Sequence, residues 1–432
     1  MQRVAILLIV WGLSSAGGRA ASPEAALTRP RFTVSIDHGM WSKWGFRYPV
    51  TYVFQLANVQ PDAAVRRRDS GAAPWKPLAR TASAELFQGL ECVRFDRAGD
   101  RVAGDRVAGD KAAGDKAFVS VGFQTSNTVE LEFVGVGTAK FDSVAKYYDG
   151  RKAAYTLSLD NWGCNPWAHP GAAWQGPTDD ASDNYQAALH ICRSFHLPVS
   201  IAINSRSAGG DGTWRNMQEE LDRRDFSWEP AVHGQTHPKN AEAYLIRGYQ
   251  DEILGCREDI LQRLHNIPYG QHVFEHILTH GYVDETLLST DAGEFLFLRG
   301  FNWGDNPSST DYAPWHEKHR FYGVGGLNTK GYDTLLEKSY PPGRFIRSNV
   351  AELNEGFDRA YQAGGVIYAL WHPDRFQNSV LYDSRSGVDG IQGSTLLPHL
   401  AYVANRQDIW YVANGWLYSY RYVAEHARVT AP

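Results

Sequence analysis

The sequence predicts an α/β fold: a parallel (β/α) barrel preceded by a small all-β, sandwich-like domain. Three observations carry this. From about residue 150, short apolar runs alternate with amphipathic segments, as strand–helix units do. Before that, residues 30–147 hold only short alternating runs divided by Gly, Pro and polar turns. Finally, three apolar runs of the second part end in side chains able to do chemistry, at Asp160-Asn161, His233 and His372. Parallel barrels gather their functional side chains at the carboxyl ends of their strands.

The chain begins with a secretion signal over residues 1–21. Arg3 supplies its positive region, Val4 to Leu13 its apolar one, and Gly18-Arg19-Ala20 a small-x-small cleavage site. The apolar run is too short to span a bilayer, and no later run is apolar enough to do so. Strand patterns follow at 31–36, 48–56, 117–123 and 128–133, with no strong amphipathic helix among them. Within this region the pentapeptide Ala-Gly-Asp-Arg/Lys-Val/Ala repeats over 98–117. So short, glycine-rich and charged a unit cannot bury a core and reads as a flexible loop.

The barrel spans about 150–425, in line with the ~250 residues typical of the architecture. Its strands are expected at 153–159, 198–204, 227–232, 275–279, 295–299 and 365–370, and its helices at 184–195, 214–223, 241–265 and 347–363. The aromatic-rich run 409–422 closes the domain.

Bulk composition narrows the partners. The net charge of −5 gives no reason to expect nucleic acid or an anionic membrane. The 14 Trp and 22 Tyr residues fit carbohydrate, whose flat apolar faces stack on aromatic rings, although most such rings serve cores. Four cysteines, Cys92, Cys164, Cys192 and Cys256, match no zinc spacing and read as one disulfide or as buried thiols.

The most informative stretch is His233-Gly-Gln-Thr-His237-Pro238. Two imidazoles four residues apart can reach one ion, and imidazole is the commonest nitrogen donor to zinc. Helical zinc proteases place Glu directly after the first His; here Gly234 stands there, and the composition favours a loop leaving a strand. Upstream, Asp160 can accept a proton from an activated water, and Asn161 can offer an amide oxygen to the ion. Downstream, His372 can donate a proton to a leaving group. Taken singly, each has a bland reading: polar loop histidines, an Asp/Asn turn, a histidine packed under Pro373.

In this order the motifs resemble the polysaccharide deacetylases, the NodB-homology proteins of carbohydrate esterase family four. Ser158-Leu-Asp160-Asn161 aligns with the family's Thr-Phe-Asp-Asp, His233-Gly-Gln-Thr-His237-Pro238 with its His-Ser/Thr-x-x-His-Pro, and Leu370-Trp-His372 with its Leu-x-His. The resemblance implies a deformed barrel and a metal-dependent enzyme that removes acetyl groups from poly- or oligosaccharides. It implies Asp160 as general base, His372 as general acid, and His233, His237 and Asn161 as ligands of a divalent ion, zinc above all. Three departures stand out. Asn161 replaces an anionic Asp. Residues 279–284, which include the candidate substrate contact His280, stand where the family has an arginine motif, so no arginine is assigned to orient Asp160. Asp305 is a weak candidate for the Asp that tunes the catalytic His. The alternatives are a non-catalytic carbohydrate-binding barrel, favoured by Asn161, and a glycosidase using Asp160 with Glu229.

Overall fold

The computed structural model describes residues 29–69, 71–82, 89–97, 114–163, 179–209, 211–223, 227–300, 312, 315, 323–325, 330–331, 347–371 and 396–432. Two sheets organise them. The first has eight strands, in the order Arg428–Thr430, Arg31–Ser35, Thr128–Val144, Val50–Arg68, Lys116–Val121, Cys92–Asp96 and Ala79–Arg80, with Lys76–Pro77 added on Val50–Arg68. It is antiparallel except where Ala79–Arg80 meets Cys92–Val93. Register shifts interrupt the long central pairing at Val53/Phe54 and between Val59 and Ala64. Such bulges bend a strand.

Four features here depart from the alternating pattern of the sequence. The all-β part is one hydrogen-bonded sheet. A short helix, His38–Trp44, is present, capped by Asp37 accepting from the Met40 backbone. The end of the pentapeptide region is already strand, because Lys116 and Ala117 pair with Gln55 and Phe54. The last strand of the sheet comes from the far end of the chain, Arg428–Thr430 on Arg31–Ser35.

The second sheet is parallel throughout. Its strands follow chain order: Ala153–Trp162, Val199–Ile203, Trp228–Val232, Glu275–Ile277, Phe297–Arg299 and Gly323–Gly325, while Lys330–Gly331 and Val366–Trp371 return to the first strand from its other side. Neighbours in sequence being neighbours in space, with helices between them, is the arrangement of a (β/α) barrel. Among the described residues no ladder joins Gly323–Gly325 to Lys330–Gly331, so the sheet is a curled, open barrel. Ile409–Tyr411 adds in parallel at the amino end of Ala153–Trp162. The expected helix over 241–265 is divided into Ala241–Leu245, a π-turn at Asp251–Gly255 and Cys256–Arg263.

The two sheets share a core. Phe32, Tyr52, Phe54, Leu131 and Phe133 of the first pack in one apolar cluster with Ala154, Phe274, Leu296 and Val366, which stand at the amino ends of barrel strands, and with Trp416, Leu417 and Tyr420 of the helix Asn414–His426. The all-β part therefore covers the barrel's amino end, opposite the strand ends that carry Asp160 and His233. Cys92, Cys192 and Cys256 are free and buried; Cys164 lies outside the described residues. Among the described residues no helix is long and apolar enough to cross a membrane. Residues 1–28, which hold the expected signal, lie outside the described residues.

Candidate functional site

The inner face of the barrel is layered. At its amino end lie Ser200, Glu229 and Glu275, all fully or almost fully buried. Above them Ala202, Ala231 and Ile277 form a small apolar cluster of their own. Above these stand Asn204, His233, Asp160 and Asn161, again buried and polar, and the side chain of Arg299, level with Ile277, reaches Asp160. Inward residues of a barrel stack in layers of this kind; here a thin apolar layer separates two polar ones.

Asp160 and Asn161 reach the upper layer together because of a bulge. Leu159 pairs with Ile201 but Trp162 with Ile203, so one strand carries an extra residue between those pairs. Asn161 takes the left-handed conformation, φ 74°. Side chains of a regular strand alternate between faces, and a bulge breaks the alternation. As a result Asp160 meets Arg299 while Asn161 meets His233. The expected strand end at 159 is thereby extended to Trp162.

Asp160, to which the sequence assigned no arginine, pairs with Arg299. Arg299 ends the strand Phe297–Arg299, level with Ile277 on the neighbouring strand, and its Nη2 donates to Asp160 Oδ2. Both side chains are almost wholly buried, 2% and 3% exposed. Leaving either charge alone at this depth would be costly, and each compensates the other.

His233 directly follows the strand Trp228–Val232. Its Nδ1 lies 2.7 Å from the Ile277 carbonyl oxygen. A carbonyl only accepts, so Nδ1 carries a proton in this contact. The ring's Nε2 lies 2.9 Å from Asn161 Oδ1. The contact is a hydrogen bond between the ring and the amide, which fixes the two side chains against one another. An imidazole nitrogen beside an amide oxygen, with the far nitrogen held by a carbonyl, is a donor set that fits a divalent ion.

The loop from His233 to Pro238 is a loop, and buried Glu252 fastens it. Glu252 accepts from the Thr236 backbone at 2.9 Å and from Thr236 Oγ1 at 2.7 Å. Gly234 sits at φ 78°, and a Cβ there would come within 3.0 Å of Pro238 Cδ. His237 is also left-handed, φ 60°, and its ring centre lies 4.9 Å from that of His233, edge to face. Asn161, His237 and His280 share this backbone conformation with seven other non-glycine residues among the described residues.

Below the apolar layer, the helix Asn414–His426 forms a floor that sequence reasoning missed. Its first N–H groups point into the barrel. Gly415 N donates to Glu229 Oε1, Asn414 N donates to Ser200 Oγ at 2.9 Å, and Asn414 Nδ2 donates to Glu275 Oε1 at 2.8 Å. Burial pushes the Glu229 carboxyl well above the usual range, and the charge of Glu275 pushes it further. Burial likewise pushes Glu275 up to about 7, opposed chiefly by the positive charge of Arg299. Glu229 thus caps a helix at the amino end of the barrel.

His372 and Asp305 lie outside the described residues. The strand before His372, Val366–Trp371, pairs with Ala153–Trp162 so that Trp371 is level with Leu159. Among the described residues no three His, Cys, Asp or Glu side chains converge as a metal site; the set on hand is two imidazoles and an amide.

No family model matches the chain, and no curated protein matches it. Solved structures do. A Mycobacterium smegmatis protein classed by inference as a polysaccharide deacetylase matches at TM-score 0.39 and 15% identity, over 66% of this chain and 93% of its own. A family 4 carbohydrate esterase from Streptomyces lividans, in complex with acetate, matches at 0.30 and 13%, over 58% and 86%. The likeness is to polysaccharide deacetylases of carbohydrate esterase family 4. It extends to a family 4 pseudoenzyme from Bacillus anthracis, at TM-score 0.30 and 11% identity over 54% of this chain and 58% of that one. At 11–15% identity residue roles do not transfer, so they rest on the geometry above.

Proposed function

We propose that the chain is a secreted, metal-dependent hydrolase that removes acetyl groups from an acetylated carbohydrate, through nitrogen or oxygen. The observation that carries this reading is the meeting of Asp160–Arg299 with Asn161–His233 at the carboxyl end of the barrel, His237 beside them. Asp160, Asn161, Arg299 and His233 are buried, and His237 is partly exposed at their edge.

His233, His237 and Asn161 would hold the ion, for which zinc suits the imidazole donors best. When bound, the ion supplies Lewis-acid polarisation of the acetyl carbonyl and lowers the pKa of a neighbouring water. Asp160 takes the proton of the attacking water, its carboxylate aimed by Arg299. The Ile277 carbonyl keeps the His233 ring oriented and its proton on Nδ1. His372 gives a proton to the departing nitrogen or oxygen.

The test is metal content of the purified protein together with acetate release from N- and O-acetylated oligosaccharides. Asp160→Asn is expected to abolish release and keep the metal; His237→Ala is expected to lose both. Stoichiometric metal with no acetate from either substrate class would overturn the hydrolase. It would favour a carbohydrate-binding barrel that kept the fold, the reading that Asn161 in place of an anionic ligand supports.

A further inference from the structure

We propose that the outer face of the antiparallel sheet is a docking surface for an acidic polysaccharide, one whose sugars carry carboxylates. Arg29, Arg31, Arg66 and Arg428 would hold those carboxylates, with Trp75 keeping guanidinium groups in place. That the polyanion is a polysaccharide rests on the carbohydrate-directed reading above.

Strand register builds this face. Phe32, Val34, Val65, Leu131 and Phe133 turn to the core, so the residues between them turn outward. Arg31 is level with Glu132, and Glu132 with Arg66; in the next row Thr33 is level with Glu130, and Glu130 with Arg68. On the last strand, Arg428 is level with Ser35. The inner face packs on the amino end of the barrel, so the outer one looks away from Asp160 and His233.

Charge on this face does not balance. Arg29, Arg31 and Arg66 all pair with the one carboxylate of Glu132. Glu132 is wholly covered, whereas the Arg29 and Arg31 side chains are 54% and 51% exposed. Around Glu132, positive charge is therefore in excess, and what faces solvent is guanidinium. Arg68 is matched by Glu130, and exposed Arg428 adds a further positive charge. The whole chain carries −5, so the cationic face is set in an acidic molecule. Cross-strand pairs that only stabilise a sheet match one charge with one opposite charge. Like charges in excess repel one another, and an anion laid across them relieves the repulsion.

The arginines are also held ready. The guanidinium carbons of Arg68, Arg31 and Arg66 lie 4.5, 5.6 and 6.0 Å from the centre of the Trp75 ring. Attraction to the ring and pairing with the two glutamates fix these planar forks, so less entropy is lost when an anion arrives. Arg31 uses Nε and Nη2 on Glu132 Oε1, at 3.0 and 2.7 Å. A guanidinium has five N–H donors, and those left over suit the two oxygens of a second carboxylate. Arg31 and Arg66 flank Glu132 from the strands on either side, about 10 Å apart at the backbone. Cationic groups spread over a sheet face at that spacing fit a polymer with repeated charges better than one small anion.

The experiment uses the full chain and measures binding to sodium polygalacturonate, neutral dextran and single-stranded DNA by isothermal titration calorimetry. Polygalacturonate is expected to bind, dextran not, and DNA more weakly than polygalacturonate. Raising ionic strength from about 0.01 to about 0.15 M should weaken binding, since the screening length falls from about 30 to about 8 Å. The double variant Arg29→Gln/Arg428→Gln, at two exposed positions, should bind polygalacturonate about 5-fold more weakly, the scale of two exposed charge pairs. Arg263→Gln, exposed on the barrel, should match wild type. No binding of polygalacturonate, or binding that the double variant leaves unchanged, would overturn the proposal. DNA bound as tightly as polygalacturonate would also overturn it and assign the face to nucleic acid. Acetate release from small acetylated sugars is measured alongside. Release without polygalacturonate binding would remove the docking surface alone; binding without release would remove the hydrolase alone.

Discussion

Arg299→Met tests whether the arginine found opposite Asp160 matters energetically. Methionine keeps much of the apolar stem and removes the charge. With both side chains only 2–3% exposed, solvent screens the pair little. Two unit charges about 4 Å apart interact by roughly 4 kcal/mol at an effective dielectric near 20. Removing one partner of a buried pair typically costs about 3–5 kcal/mol, because the other charge is left uncompensated. We therefore expect Arg299→Met to lower unfolding free energy by about 4 kcal/mol at pH 7, nearly unchanged between low and high salt. The assay is urea unfolding followed by circular dichroism and tryptophan fluorescence, whose transitions must coincide before a free energy is extracted. Asp160→Asn and the double variant complete the cycle. Removing both charges should cost less than the two single changes added together, with a coupling of about 2–4 kcal/mol. Additivity within about 0.5 kcal/mol would show that the two residues act independently and refute the pairing.

Glu275 gives a pH signature. Burial raises its carboxyl from 4.5 to about 7 in the folded protein, so between those values the native state holds a proton that the unfolded chain has released. Its stabilising contribution is complete below pH 4.5 and is lost as pH rises toward 7. Glu275→Gln should flatten this fall in urea midpoints between pH 5 and 8; parallel profiles would contradict it. Gly415→Ala should destabilise by about 1–3 kcal/mol, as overpacking does, because its Cβ would lie 2.7 Å from both Glu229 Oε2 and Phe274 Cβ. A wild-type denaturation midpoint for that variant would show that the floor yields. Asn161→Asp should tighten zinc binding by adding a negative donor beside His233 Nε2; unchanged affinity would remove Asn161 from the donor set.

Local features were legible in the amino-acid order alone. Period-two and apolar runs report how each residue is buried, and from them the strands and the all-β beginning were legible. Gly234 and Pro238 marked His233 to His237 as a loop, because glycine, threonine and proline make a poor helix start. The polar residues closing the runs 153–159 and 227–232 named Asp160, Asn161 and His233.

Which side chains meet depends on the folded barrel. Arg299 lies 139 positions from Asp160, and nothing in its own neighbourhood distinguishes it from an arginine ending any other strand. The bulge that turns Asp160 and Asn161 into one layer exists only against the neighbouring strand, since register belongs to a pair of strands. The helix Asn414–His426 reads as an aromatic, amphipathic segment. Its role as a floor, with N–H groups on Glu229, depends on the barrel being open at that end to receive it. His280 is a loop histidine in the sequence, and it becomes a neighbour of His237 because Thr279 ties its turn to Pro238. Propensity and periodicity act over a few residues, whereas charges and imidazoles are matched across the barrel, where distance along the chain carries no information about distance in space.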